Sequence, residues 1–372
     1  MASKKPEKDP SSPKDNSLFL MHYPCLKIYL DRISHNSRII QMHCSESGIS
    51  VIGVTKCVLG DTRIAAAMKN SGITTFGDSR LENLERLRNF YGEKQVLVML
   101  RSPMPDEVER LVGICDISLN TQLKTVKLIE NACRKKKLIH RVIVMVETDD
   151  EREGLLPGDV TSFCKQLVKD CKAVELYGLG TNARCIAKNG PVPKSLKILV
   201  DLRQEIMKTT GINMPVISGG NSSIWNLIEK NMVPEGVNQV RIGEAILLGH
   251  NTVDYRPIKK ASMDTFLLEA QVIEVKKRNN RVYKIILALG LQDVSSKNID
   301  CCSPDLYIIS QSSDHTVVGI KEAGPGKDKN SFLKLESGGI ISFKPDYFGV
   351  LSCMTSPYVK KKYIERKKTN KI

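Results

Sequence analysis

Short apolar runs alternate along this chain with polar-flanked amphipathic stretches, and the alternation predicts the architecture. Runs short enough to be strands occur at 51–55, 74–76, 96–99, 117–119, 142–146, 176–180, 216–218 and 240–242. Between them apolar positions recur at helical spacing. Leu84 and Leu87 follow Ser79-Arg80-Leu81-Glu82, which reads as a capping box, and Leu123, Val126 and Ile129 mark one face of a later helix. Eight strands alternating with helices over roughly 200 residues is the signature of a (β/α)8 barrel. A doubly wound open sheet is the alternative, because a strand count from periodicity errs by one or two.

Ahead of this repeat, 26–30 reads as a strand and 34–45 as a helix. After Pro257 the pattern changes: 266–275, 283–289, 306–309, 316–320 and 340–343 are β-rich and separated by Gly, Asn, Asp and Ser clusters. The expected organisation is a barrel domain at 23–257 and an all-β domain at 258–359, with the strand at 26–30 a candidate to join the second sheet. Residues 1–22 have almost nothing to bury and are expected to be disordered. Residues 360–372 are expected to be a basic tail.

Composition agrees with two domains in 372 residues, and 41% hydrophobic with only 5% aromatic residues implies cores built from Val, Ile, Leu and Ala. No stretch reaches the eighteen or so uninterrupted apolar residues of a membrane span, and no apolar run precedes Leu18 as an export signal requires. The cysteines (Cys25, Cys44, Cys57, Cys115, Cys133, Cys164, Cys171, Cys185, Cys301, Cys302 and Cys353) are odd in number and lack C-x-x-C spacing. Reduced thiols in the cytoplasm, with no metal site, are the expectation. The net charge of +15 raises the question of nucleic acid. Residues 359–372 carry seven Lys/Arg against one Glu, and the remaining surplus has no aromatic platform or recognition motif. A solvated tail is the simpler reading, so neither a nucleic-acid nor a membrane partner is expected.

Barrel sites form where strands end at the C-terminal rim, so residues just past each apolar run come first. Lys56, in GVTKCVLGD, directly follows the first run. Most lysines are solvated surface residues, yet a desolvated one loses its proton readily enough to form a Schiff base. SGGNSS, residues 218–223, ends the seventh run ahead of a helix at 224–230. Its glycines allow close backbone approach, and helix amides with the Ser222 and Ser223 hydroxyls can bind an anion such as phosphate. A Gly-rich turn with a serine N-cap is the competing reading. Arg241-Ile242-Gly243-Glu244 follows at the eighth run, where an arginine could contact phosphate or a cofactor ring, or form a structural salt bridge.

GVTK (53–56), GLGTN (178–182), SGGNSS (218–223), VRIGEAILLG (240–249), LGLQDV (289–294), SSDH (312–315) and MTSPYV (354–359), in this order, resemble the alanine racemase-like enzymes that join a barrel to a β-domain, in particular the ornithine racemase branch. The resemblance runs from about Tyr23 to Val359. It implies pyridoxal 5'-phosphate held as a Schiff base on Lys56, which also acts as one catalytic base. It places Asn182 near the cofactor ring, Asn221, Ser222, Gly243 and Glu244 around the phosphate, and Arg241 against the pyridine nitrogen. Arg152, in TDDEREGL, matches an arginine associated with the substrate carboxylate. Gln292 and Asp293 resemble a segment contributed by the partner subunit near the substrate, beside Asp314 and His315; for His315 a structural role in a turn is the competing reading.

The implied activity is racemisation of ornithine or another basic amino acid by a head-to-tail homodimer, each β-domain closing the partner's barrel. The tyrosine motif that supplies the second base in alanine racemases is not found, and no residue takes that role here. Leu291 stands where the branch commonly has arginine, and the stretch at 276–281 is shorter than in many relatives. The runner-up readings are an alanine or broad-specificity racemase and a non-catalytic pyridoxal-phosphate carrier. The carrier family is barrel-only, and residues 262–359 argue against it.

Overall fold

The structure, a computed structural model, describes residues 22–148, 150–183, 190–278, 281–321 and 335–365. Residues 1–21 of the expected N-terminal tail, Cys185 and residues 366–372 lie outside the described residues. β1 (Cys25–Tyr29) leads straight into the helix Leu30–Glu46, which starts four residues earlier than its pattern suggested because Leu30 and Ile33 are already buried. Eight strands follow: β2 (Ser50–Val54), β3 (Thr75–Asp78), β4 (Val96–Met99), β5 (Ile117–Asn120), β6 (His140–Met145), β7 (Val174–Gly180), β8 (Val216–Ser218) and β9 (Gln239–Ile242). They pair in parallel in chain order, and Val51 of β2 meets Val240 of β9 to close the barrel. Both faces of these strands are buried, which is why they read as continuous apolar runs. Ile52, Val98, Leu119, Ile143 and Val216 fill the interior, while helices such as Leu123–Lys136, with Val126 and Ile129 fully buried, cover the outside.

The capping box expected at 79–82 does not form. Helix Leu81–Tyr91 has Arg80 at its N-cap with no side-chain bond from that residue. The Asp78 carboxylate, at the end of β3, instead accepts the Arg80 N–H at 3.0 Å and the Asn83 amide at 3.0 Å.

His140 opens β6 fully buried, its Nε2 2.8 Å from the Ser118 hydroxyl. Burial lowers its pKa from 6.5 to about 4. The folded state therefore keeps the ring neutral. This stabilisation is complete above pH 6.5 and is lost as pH falls from there towards about 4. The urea midpoint of the wild type is expected to fall through that window more steeply than that of His140→Asn; parallel curves would contradict this assignment.

The second unit is one sheet formed by β1 and seven later strands: β10 (Phe266–Arg278), β11 (Arg281–Ala288), β12 (Ile299–Cys301), β13 (Leu306–Gln311), β14 (His315–Ile320), β15 (Ile340–Pro345) and β16 (Lys360–Ile364). The strand order is β12-β15-β10-β11-β14-β13. β1 joins antiparallel to β10, with Leu26 opposite Leu268, and parallel to β16, with Leu26 opposite Lys361. Leu26, Ile28, Leu268 and Phe343 belong to the same continuous apolar core as the helix layer of the barrel.

One expectation needs correction. Residues 360–364 are a strand, not a tail: Tyr363 donates its hydroxyl to Asp61 and lies 3.3 Å under the Arg63 guanidinium, which anchors an otherwise basic run. The expected β-domain is present, and one helix lies within it. Tyr347–Thr355 is a helix, with Val350, Cys353 and Met354 buried at helical spacing and Asp346 as N-cap, accepting the Gly349 N–H at 2.7 Å. Among the described residues every cysteine is a free thiol, buried except at Cys301 and Cys302, and no helix is long and apolar enough to cross a membrane.

Candidate active site

β2 ends at Val54, and the chain turns at once into a 3-10 turn, Lys56–Val58, on the C-terminal rim of the barrel. Thr55 anchors this turn from below: its N–H donates to the Gly77 carbonyl at 3.0 Å and its hydroxyl to the Asp78 carboxylate at 2.8 Å, both side chains fully buried. Cys57 anchors it from the side, its thiol 3.4 Å from the Tyr347 carbonyl, with burial pushing the thiol pKa up. Between these anchors the Lys56 side chain is exposed rather than desolvated.

At the end of β8, Gly220 has φ +120°, a conformation that favours glycine, and Asn221 caps the following 3-10 turn Ser222–Ile224 by accepting the Ser223 N–H at 2.9 Å. The helix expected at 224–230 is shorter, Trp225–Glu229, and the cap is Asn221, not a serine. Ser222 has another task. Its hydroxyl oxygen accepts from the Gly243 and Ala245 amides, each at 3.3 Å, and so ties the loop after β8 to the start of helix Glu244–Leu248 after β9. Two short helix starts thus face the same space, with backbone amides suited to an anionic group.

Arg241, only 3% exposed, reaches across the rim. Its guanidinium donates to the Ser218 hydroxyl at 2.5 Å, the Thr181 carbonyl at 2.5 Å and the Asn182 side-chain oxygen at 2.6 Å. These three acceptors are neutral. Asn182 in turn donates to Glu153 at 3.3 Å, and Glu153 grips Arg152 with both carboxylate oxygens, Nη2 lying 2.5 Å from Oε1. A single polar chain therefore runs from Arg241 through Asn182 and Glu153 to Arg152. On the next wall Glu244 pairs with His250 at 3.2 Å, and His250 packs edge-on against Tyr255.

Lys56, Arg152, Asn182, Asn221, Ser222, Arg241, Gly243 and Glu244 all line one cavity of about 630 Å³, a volume typical of small-molecule sites. The β-domain closes it with Asp346, Tyr347 and Phe348. Sequence reasoning missed these three, along with His250, Tyr255 and Glu153; only the charges flanking Arg152 in DDEREG offered a hint of the last. Gln292, Asp293 and His315 do not line the cavity of their own chain. They belong to a unit in which Gly290 presses against the Ser313–Asp314 backbone: Leu291 and Gln292 donate to the Ser312 and Ser313 carbonyls, each at 3.0 Å. Asp293 is buried, which raises its pKa, and accepts the Gly290 N–H at 2.9 Å. Gln292 and His315 are exposed, and His315 lies 2.9 Å from Asp314. Among the described residues no cluster of His, Cys, Asp and Glu is placed to hold a metal ion.

The family model for the alanine racemase N-terminal domain matches residues 28–251. Over 366 residues the chain is 32% identical to a lysine racemase of Thermotoga maritima, covering 92% of this chain and 99% of that one. It is 30% identical over 364 residues to an ornithine racemase of Acetoanaerobium sticklandii, covering 92% and 100%. Among solved structures, alanine racemase from Corynebacterium glutamicum superposes with a TM-score of 0.73 at 16% identity, covering 92% of this chain and 100% of that one. D-threo-3-hydroxyaspartate dehydratase from Delftia sp. HT23 shares the fold at a TM-score of 0.72 and 15% identity, covering 93% and 95%. With the barrel, the β-domain and more than nine-tenths of the chain accounted for by these matches, the chain belongs to the alanine racemase family and is an amino-acid racemase.

Proposed function

We propose that this racemase uses pyridoxal 5'-phosphate to interconvert the enantiomers of a basic amino acid, ornithine or lysine, as a cytoplasmic homodimer. The observation that carries the proposal is the convergence, in one cavity, of an exposed primary amine on Lys56, a buried guanidinium on Arg241 and two helix starts joined through Ser222. This donor set fits a molecule bearing an aldehyde, a ring nitrogen and a phosphate. The names of the two relatives, lysine racemase and ornithine racemase, support the substrate class.

Lys56 would hold the cofactor through Nζ, and the amides of Gly243 and Glu244 with the Asn221 and Ser222 side chains would hold its phosphate. When bound, the cofactor supplies the electron sink that acidifies the α-hydrogen of an attached amino acid. Lys56 then takes or returns that proton at Nζ on one face of the substrate. Arg241 would donate to the ring nitrogen; because a guanidinium does not surrender its proton, it would keep that nitrogen unprotonated and limit side reactions such as transamination. Asn182 fixes the Arg241 guanidinium, and Glu153 orients Arg152 to receive the substrate carboxylate bidentately. The partner's copy of the 289–294 and 312–315 unit, with Gln292, Asp293 and His315, completes the opposite face.

The test supplies purified protein and pyridoxal phosphate with one enantiomer of ornithine, lysine, alanine or serine, and follows product chirality. Ornithine and lysine are expected to invert faster than alanine and serine. Bound cofactor without inversion of any of the four would defeat the proposal.

A further inference from the structure

Three cations line the cavity, Lys56, Arg152 and Arg241, and the proposed chemistry gives each a partner in the cofactor or the substrate carboxylate. Two carboxylates share the wall, Glu244 and Asp346. Glu244 is engaged with His250 at 3.2 Å. Asp346 lies elsewhere, on the β-domain side, immediately before Tyr347, whose carbonyl touches Cys57 beside Lys56. Its carboxylate is rigidly placed: Oδ1 accepts the Gly349 N–H at 2.7 Å, Oδ2 accepts the Asn298 amide at 3.0 Å, and its own N–H donates to the Asn298 carbonyl at 3.0 Å. Each carboxylate oxygen keeps a second lone pair, and the residue is exposed. The same cavity is also lined by the apolar side chains of Val54, Leu100, Tyr347 and Phe348, the last two directly following Asp346 in the chain. A fixed carboxylate sharing one cavity with apolar side chains matches a methylene chain that ends in an ammonium.

We propose that Asp346 is the residue that reads the substrate side chain, its carboxylate accepting the terminal ammonium of ornithine or lysine while the apolar lining packs the methylenes. This rests on the reading of the cavity as a basic-amino-acid racemase site, and it assigns the specificity to this chain's own β-domain rather than to the partner's. A helix N-cap alone would account for the Gly349 bond, so the test separates the two roles. Asn and Ser both cap helices well, so Asp346→Asn and Asp346→Ser are expected to fold.

With the cofactor-loaded dimer, Asp346→Asn is expected to lower kcat/KM for ornithine about 10-fold or more, chiefly through KM, and to change that for alanine by less than about twofold. Asp346→Glu is expected to recover part of the preference. A binding measurement needs no turnover: wild-type protein should bind 5-aminopentanoate roughly 10-fold more tightly than pentanoate, which differs only at the terminal group, and Asp346→Asn should bind both alike. Equal binding of the two by the wild type, or an equal loss of ornithine and alanine turnover in the variant, overturns the proposal. A wild type that discriminates between the two acids yet inverts no amino acid would retain Asp346 as the ammonium receptor and refute the racemase reading of the site.

Discussion

Lys56→Ala is expected to lower racemisation by about 10³-fold or more and to remove the visible absorbance of bound cofactor. Both losses follow from one side chain, because the proposed function makes Lys56 at once the attachment point and the base on its face of the substrate. The fold has no stake in that side chain. Its turn is held by Thr55 on Asp78 and by Cys57 on Tyr347, while the lysine itself projects into the cavity. Circular dichroism and the thermal midpoint should therefore match the wild type. A variant that keeps its activity and its absorbance band would strip Lys56 of both roles.

Gly290→Ala is expected to reduce racemisation by about 10²-fold while leaving the cofactor absorbance intact, since misplacing a positioning group by about 1 Å costs that much. A Cβ at Gly290 would lie 2.2 Å from the Ser313 carbonyl oxygen and 2.3 Å from the Asp314 backbone. Those atoms cannot yield as a flexible side chain would, so the 289–294 and 312–315 segments must separate. The displaced unit carries Gln292, Asp293 and His315, which do not line the cavity of their own chain. The proposed cofactor donors all sit elsewhere, on the cavity lining. Activity equal to wild type in a folded variant would show that this unit has no part in any active site, the partner's included. A loss of absorbance together with activity would place it in the cofactor site instead.

The barrel was legible in the sequence because parallel strands buried on both faces leave unbroken apolar runs, and all eight runs correspond to barrel strands within a few residues. Rim residues were legible for the same reason: the end of each apolar run marks the rim, and the residues just past it are the ones that face the barrel mouth. That logic found Lys56, the 218–223 loop and Arg241. It could not find Asp346 or Glu153, whose relation to the cavity depends on how a distant helix and a charged loop pack against the rim. The charge run at 360–364 misled because counting lysines ignores Tyr363, whose ring and hydroxyl are already claimed by Arg63 and Asp61. The capping box failed for a similar reason: Ser79 and Glu82 have the right spacing, but Asp78 is a stronger acceptor one residue nearer the strand.

The placement of β1 between β10 and β16 makes the barrel an insert within the sheet rather than a neighbour preceding it. Cys25 and its partner Lys360 are roughly 330 residues apart in sequence, so their pairing cannot form until the whole barrel and the strands between have been made. Tyr363 then fastens Asp61, the residue that caps helix Thr62–Lys69 just after the lysine turn. The turn that carries Lys56 thus gains support from a residue roughly 300 positions further along, so this part of the rim cannot be completed until the β-domain's last described strand has been made.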